Sequence, residues 1–272
     1  MDSSHLLSAL ELLVEDSGGW YQKGDLATLV GEMPTPDIAH PDRKSRIVLA
    51  IRSVTQNEWN MLTCIQRLEW MRIAAGGDGH IASNWYNYAS ADIEYWHVSF
   101  RSLLDYVALV LLLLAGRKAE KPSFHKLHGK CTSGDEKKVK SVTDEIGPDA
   151  VELLQSATWF NQILRVRTSI VHRGGHTLVF GGPSNGILFQ VYGGFWQNLV
   201  AAEPWMFNDN VAYFDRYAAH LMSHLIIFLE RFASTVARRY GLFPLPERDA
   251  RNCHDGFKVL RAWIDASLAA DE

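Results

Sequence analysis

An eleven-residue apolar run, YVALVLLLLAG at 106–116, limits what this chain can fold into more than any other stretch. A membrane-spanning helix needs roughly 20 apolar residues, so this run is too short to cross a bilayer. Arg101 and Asp105 lie one to two helical turns upstream of it. A helix with charges at one end and a long apolar end fits the interior of a folded domain. The run therefore predicts a core helix over about 90–115, ended by Gly116.

Apolar residues recur at three- and four-residue steps along most of the remaining chain, which is typical of helices. This spacing predicts helices over 4–15, 44–75, 209–240 and 254–268, with a short helix in the polar segment 117–147. Pro148 opens another helix, which breaks near Ser156, restarts and ends near His172. The period then changes to two over 176–180 and 187–192, which predicts a β-hairpin whose turn contains Asn185-Gly186.

The predicted fold class is therefore mostly α, a helical bundle with a small inserted β-hairpin at about 176–192. Residues 1–75 are expected to form an N-terminal helical extension packed on the bundle of residues 76–272. The length of 272 residues fits one structural domain overall.

Charge and cysteine content narrow the class of protein. The net charge of −4 argues against a protein that binds nucleic acid over much of its surface. Any RNA contact is therefore expected in a local pocket. Three cysteines do not form a disulfide framework, which fits a reducing compartment. The N-terminal segment lacks the basic start of a signal peptide. We expect a cytoplasmic protein with no membrane contact.

The segment LRVRTSIVHRGGH at 164–176 contains the residue types needed to cleave RNA without a metal. Histidine can take the proton of a 2′-hydroxyl at neutral pH, and arginine can stabilise the crowded phosphate. In an ideal helix Arg165 shares a face with His172, whereas Arg167 lies ~140° away from it. Arg167 would reach the same phosphate only through a distorted last turn or a second chain. Thr168, four residues before His172, faces it.

The segment WFNQILRVRTSIVHRGG at 159–175 resembles the motif region of the HEPN (higher-eukaryote and prokaryote nucleotide-binding) families. Their signature is an arginine, four to six residues and a histidine, which Arg167 and His172 match with four and Arg165 matches with six. SFRSLLDYVALVL at 99–111 is similar to the first bundle helix of these families. SFHKLHGK at 123–130 is similar to their connection before the motif helix.

The resemblance implies that Arg167 stabilises the phosphate and His172 acts as base, in a cleft shared by a homodimer. It implies a metal-independent endoribonuclease, used in toxin–antitoxin or phage-defence systems, with RNA as substrate and an antitoxin or other protein as possible partner. Catalytic members usually carry Asn, Asp or His after the arginine, where this chain has Thr168. The alternative is a non-catalytic helical module that binds a nucleotide or a protein partner.

Four polar residues of the predicted core helix step by three, four and four positions and so share one face. Buried charges need partners, and we expect this polar stripe to face the motif helix across the bundle. The alternative is a surface ladder of ion pairs. The stripe consists of Glu94, His97, Arg101 and Asp105.

Other histidines and lysines have simpler interpretations. His220 and His224 are spaced for a metal, as are His125, His128 and Cys131, but neither set has a clear further ligand. We therefore expect no metal and no cofactor, with a metal-binding helical protein that uses His220 and His224 as the weaker alternative. Basic residues concentrate in 117–140, where they could guide RNA or simply face solvent: Lys118, Lys121, Lys126, Lys130, Lys137, Lys138 and Lys140.

Overall fold

The computed structural model describes residues 3–16, 19–23, 26, 41–75, 79–118, 122–172, 176–180, 186–191, 205–239 and 252–271. The protein is mostly helical, as the sequence predicts. The helices in these ranges are α1 Ser4–Leu12, α2 Pro41–Ala75, α3 Gly79–Leu114, α4 Phe124–Cys131, α5 Glu136–Ile146, α6 Pro148–Gln155, α7 Phe160–His172, α8 Phe214–Arg239 and α9 Gly256–Asp271. The strands are β1 Leu13–Asp16, β2 Gly19–Gln22, β3 Thr177–Phe180, β4 Leu188–Val191, β5 Met206–Asn208, β6 Val211–Tyr213 and β7 Asn252–Cys253.

The two longest helices, α2 and α3, pack along each other and form the centre of the fold. Gly116 ends α3 in the left-handed conformation, with φ +85°, which glycine adopts readily because it has no Cβ. The N–H groups of Gly116 and Arg117 then bond back to Leu113 and Leu112. From the first turn of α2, Arg43 donates through Nε to the carbonyl of Leu113 at 2.6 Å. The start of α2 is thus fastened to the end of α3.

Within the described residues, α3 is the one helix long and apolar enough to cross a membrane, over Asn84–Leu114. Yet 61% of its most apolar window is buried inside the protein. Trp96, Phe100 and Val107 on this helix have no exposed surface at all. The predicted core helix is therefore present, and it packs against protein as the core helix of a soluble domain does.

The β-structure is larger than the predicted hairpin. β3 and β4 pair antiparallel, with Val179 opposite Phe189, as the sequence predicts. β6 pairs with β4 and β5 with β6, which gives a four-stranded sheet in the order β3-β4-β6-β5. A second sheet has the order β1-β2-β7. The predicted turn residue Asn185 lies outside the described residues, but Gly186 has the positive φ of +78° that such a turn needs.

Two predicted helix limits are wrong because strands take the end residues. The helix expected over 209–240 begins at Phe214, since Val211–Tyr213 pairs with β4. The helix expected over 4–15 ends at Leu12, since the following residues pair with β2. The polar segment 117–147 contains two helices, α4 and α5, with Ser123 and Asp135 as their N-cap residues. The expected break near Ser156 is confirmed between α6 and α7.

One continuous hydrophobic core extends from Leu6 in α1 to Ile264 in α9. Residues on both sides of position 75 contribute to it, among them Val54 and Leu62 of α2. α1 packs on α8 and α9, near the other end of the chain. From α9, Arg261 donates to the carbonyl of Leu13 at 2.8 Å, directly after α1. This arrangement holds the N-terminal helix against the last two helices.

Candidate functional site

The polar face of α3 meets the motif helix at Arg101 and Asp105. Arg101 Nη2 lies 3.0 Å from Asp105 Oδ1, and the side chain of Arg101 is only 11% exposed. The Arg101 guanidinium also lies over the ring of Phe160, the first residue of α7, at 5.3 Å from its centroid. Such a contact is attractive because the ring face is electron-rich. Arg101 therefore links the centre of α3 to the start of the motif helix.

The beginning of α4 completes this junction. Asp105 Oδ1 accepts a 2.7 Å hydrogen bond from the backbone N–H of Phe124. This N–H belongs to the first turn of α4, where the helix itself offers no acceptor. Arg101 Nη2 donates to Ser123 Oγ at 3.2 Å. A carboxylate at a helix N-terminus is favoured by the helix dipole. The SFHKL segment singled out in the sequence is thus anchored on the polar face of α3.

Arg167 of α7 adds a second positive charge to this junction. Burial lowers the pKa of Arg101; the Asp105 carboxylate opposes that shift, and the charge of Arg167 adds to it. Burial raises the pKa of Asp105, while the Phe124 N–H, Arg101, Arg167 and His125 oppose that rise. Arg101 Nη1 is buried and has no hydrogen-bond partner among the described residues. We call Arg101, Asp105, His125 and Arg167 the arginine cluster.

The other residues of the motif lie on different faces of α7. Arg165 is exposed, Thr168 is half-buried and Ser169 is buried. The backbone of α7 stays helical through His172, but the side chain of His172 lies outside the described residues. Arg167 is thus the motif residue that the structure brings to the polar face of α3, and Arg165 faces solvent.

The polar stripe does not act as one unit, so the expectation that all four residues face the motif helix is wrong for its first two members. Glu94 Oε1 accepts a 3.0 Å hydrogen bond from the backbone N–H of Thr177, at the start of β3. His97 is fully buried and contacts α8 instead. A 36-residue helix such as α3 passes several neighbours, so residues on one face meet different elements.

His97 behaves as a core histidine. Its Nδ1 lies 2.7 Å from the carbonyl oxygen of Ile93, and its Nε2 lies 3.1 Å from Tyr217 Oη. Because a carbonyl only accepts, Nδ1 is the protonated nitrogen and Nε2 accepts from the tyrosine hydroxyl. Burial lowers the pKa of His97 to about 4, although the bond to Ile93 opposes that shift. His97 therefore holds α3 to α8 as a neutral side chain.

The HxxHxxC segment does not gather into a metal-ligand set within the described residues. His125 is exposed, whereas His128 stacks on the ring of Phe124 at 5.8 Å. Burial raises the pKa of Cys131 to about 11, so its thiol stays protonated at neutral pH. The lysines of this region with described side chains are exposed: Lys118, Lys126, Lys130, Lys137, Lys138 and Lys140. They face solvent on and around helices α4 and α5.

A third histidine joins His220 and His224, and sequence spacing gave no sign of it. His5 of α1 stacks on His224 with ring centroids 4.0 Å apart and planes 2° apart. His5 Nε2 lies 2.8 Å from His220 Nδ1. One nitrogen from each of the three rings lies within 4.8 Å of the others. We call these residues the imidazole cluster. The one relevant sequence feature is that His5 lies in an amphipathic N-terminal helix. That feature indicates a site only once the element on which the helix packs is known.

The chain matches no protein-family model, no curated protein and no solved structure.

Proposed function

We propose that the protein is a metal-independent endoribonuclease that binds the scissile phosphate of RNA beside the motif helix α7. The observation that supports this most directly is the buried Nη1 of Arg101, which has no hydrogen-bond partner among the described residues and lies in a cluster with Arg167. Buried donors are normally satisfied, and charged donors bind phosphate oxygens strongly. An anion in this cluster would satisfy that donor.

In the proposed reaction, His172 takes the proton of the ribose 2′-hydroxyl, and the 2′-oxygen attacks phosphorus. The bond to the 5′-oxygen breaks, that oxygen takes a proton from water, and His172 then returns its proton to water. The products are a 2′,3′-cyclic phosphate and a 5′-hydroxyl. Arg167 stabilises the charge that develops on the phosphate oxygens. Arg101 and Asp105 fix the neighbouring end of the site, and Arg165 and the exposed lysines of 118–140 draw the RNA backbone towards it.

The course of α7 supports a site made by two chains. The helix runs without a break from Phe160 to His172. Positions 167 and 172 of a regular helix lie ~140° apart, so one helix does not present both residues to one phosphate. In a homodimer with two facing motif helices, Arg167 of one protomer and His172 of the other could meet at the same phosphate. The proposed enzyme is therefore a homodimer.

The test is cleavage of mixed RNA and tRNA by the purified protein in EDTA, with analysis of the product ends. We expect cyclic-phosphate ends from the wild type. Loss of a general base typically costs ~10²–10⁴-fold in rate, so His172→Ala should be nearly inactive. Removal of a charge-stabilising donor costs ~10²–10³-fold, which we expect for Arg167→Ala. Arg231→Ala, at a surface arginine paired with Glu152, is the matched control.

Subunit mixing tests the two-chain site. Arg167→Ala and His172→Ala chains, unfolded and refolded together, form heterodimers in which one of two sites is intact, so about one quarter of wild-type activity returns. A site within one chain would recover nothing. Absence of cleavage by the wild type, or full cleavage by His172→Ala, would contradict the ribonuclease proposal.

A non-catalytic binding module is the second candidate, and one observation favours it. Thr168 follows Arg167 where catalytic HEPN-type sequences usually carry Asn, Asp or His. In that case the arginine cluster binds a nucleotide phosphate without cleaving RNA. Equilibrium binding of ATP and AMP should then be lost in Arg101→Ala and Arg167→Ala, with no cleavage by the wild type.

A further inference from the structure

The imidazole cluster lies away from the arginine cluster, between the N-terminal helix and α8. His220 and His224 are four residues apart on α8, so both project from one face of that helix. α1 packs on the same helix and brings His5 to them. Three histidines from two elements separated by 215 positions therefore converge at one point.

The three rings pack directly on one another. The ring of His220 stands edge-on to both of its neighbours, at 85° to His5 and 86° to His224, with centroids 4.4 Å and 4.7 Å away. Zinc bonds to histidine nitrogens at about 2.0–2.1 Å in a tetrahedron, so its ligand nitrogens lie roughly 3.3 Å from one another. The nitrogens here lie between 2.8 Å and 4.8 Å apart. Because His5 and His224 lie in parallel planes, one of these two rings would have to rotate out of the stack before both nitrogens point at one ion. The ion would also replace the hydrogen bond between His5 and His220.

Two tryptophans flank the imidazole cluster, and neutral imidazole is the form that binds metal ions. Trp205 lies against His220 with ring centroids 4.5 Å apart, and Trp159 lies parallel to His224 at 6.1 Å. All three histidines keep part of their surface exposed. A metal ion and a water molecule could thus reach the cluster.

We propose that His5, His220 and His224 form a zinc site with three imidazole ligands and a fourth position open to water or a small anionic group. Three histidines with one open position are the ligand pattern of catalytic rather than closed structural zinc sites. The bound ion would also tie α1 to α8. Trp159, which immediately precedes α7, would pack against one of the ligands. This site is independent of RNA cleavage, which is proposed to proceed in EDTA.

The first test is Zn²⁺ binding to the full-length protein after chelator treatment, by calorimetry and elemental analysis. We expect one Zn²⁺ per chain and a higher Tm with Zn²⁺ but not with Mg²⁺. Loss of residues that merely support a metal ligand weakens binding ~10–100-fold, so His5→Ala and His224→Ala should weaken it by at least ~100-fold. His176→Ala, at an exposed histidine outside the cluster, should bind as the wild type does.

Co²⁺ gives a readout that does not depend on protein stability. In a site with three nitrogen ligands, Co²⁺ should produce visible d–d absorption of tetrahedral or five-coordinate type, which His5→Ala should abolish while circular dichroism stays unchanged. His5 is the preferred position for the substitution, because its side chain is half-exposed on a nine-residue helix. Binding of no Zn²⁺ by the wild type, or equal Zn²⁺ affinity of His5→Ala, His224→Ala and His176→Ala, would overturn the proposal.

Discussion

The carboxylate of Asp105 accepts a 2.7 Å hydrogen bond from the backbone N–H of Phe124, nineteen positions later in the chain. The same oxygen lies 3.0 Å from Arg101. One atom thus holds the N-terminus of α4 to α3 and offsets the charge of a mostly buried guanidinium. The polar face of α3 depends on this oxygen for both its geometry and its charge balance.

Replacement of Asp105 should therefore destabilise the protein. Asp105→Ala leaves Arg101 without its carboxylate and the Phe124 N–H without its acceptor, and we expect a loss of about 2–4 kcal/mol in the free energy of unfolding. Asp105→Asn keeps an acceptor oxygen and should lose less. Urea unfolding measures both, and Asp144→Ala, at an exposed position of α5, is the control. Equal stability of Asp105→Ala and Asp144→Ala would show that the junction contributes little.

Acid should destabilise the fold through His97. The unfolded chain takes up a proton at this residue near the ordinary pKa of 6.5, whereas burial lowers the folded pKa to about 4. Between these values the unfolded state binds more protons, so stability falls as pH decreases from 6.5 to 4. The full effect is on the order of 3 kcal/mol.

His97→Gln tests this pH dependence. The variant loses the titrating group, so its unfolding free energy should fall less steeply than that of the wild type between pH 6.5 and pH 4. His176→Ala, at an exposed histidine outside the core, is the control. Parallel slopes for the wild type and His97→Gln would refute the assignment of the titration to His97.

Glu94 should control the local stability of the strand that follows the motif helix. Its Oε1 accepts the backbone N–H of Thr177, the first residue of β3. Glu94→Ala removes that acceptor at a cost of about 1 kcal/mol. Hydrogen exchange at Thr177 should accelerate, while the amide of Phe189 in β4 should keep its protection. Unchanged exchange at Thr177 would mean that this bond does not limit opening of the strand.

Two glycines should respond in opposite directions to alanine. Gly186 has φ +78°, and a Cβ there would lie 3.1 Å from an oxygen of Asp215 and 3.3 Å from Tyr213. Gly186→Ala should lower the free energy of unfolding by about 1–3 kcal/mol. Gly129 lies inside α4 with nothing within 4 Å of an added Cβ. Gly129→Ala should stabilise by about 0.4–1 kcal/mol. Denaturant unfolding of the two variants measures both changes in stability. Equal effects would refute the expected difference between the positive-φ glycine and the helical glycine.

Local pattern predicted most of the helices but not all of their limits, because a buried face shows as a regular spacing of apolar residues. The apolar run before Gly116 and the break near Ser156 are examples, and both are present in the structure. The strands were harder to predict. Val211–Tyr213 continues the apolar pattern of α8, and only its pairing with β4 makes it a strand. That pairing depends on residues far away in sequence.

The candidate sites show the same limit. The spacing of Glu94 and Asp105 correctly places both on one helix, but eleven residues of helix separate them by about 16 Å. They therefore meet different neighbours, β3 and α4. His220 and His224 were visible as a pair, whereas His5 joins them only through the docking of α1 on α8. Composition and spacing identify residues that share an element, and tertiary packing decides which elements share a site.

The docking of α1 on α8 also has a consequence for biosynthesis. The first helix leaves the ribosome early, yet the helix on which it packs ends at Arg239. His5 and His220 are 215 positions apart, so at about 5–20 residues per second the N-terminal segment remains without its partner for roughly 10–40 s. Its apolar face, including Leu6 and Ala9, is accessible to chaperones and proteases throughout that interval. The order of translation thus makes the N-terminal helix one of the last elements to reach its final position.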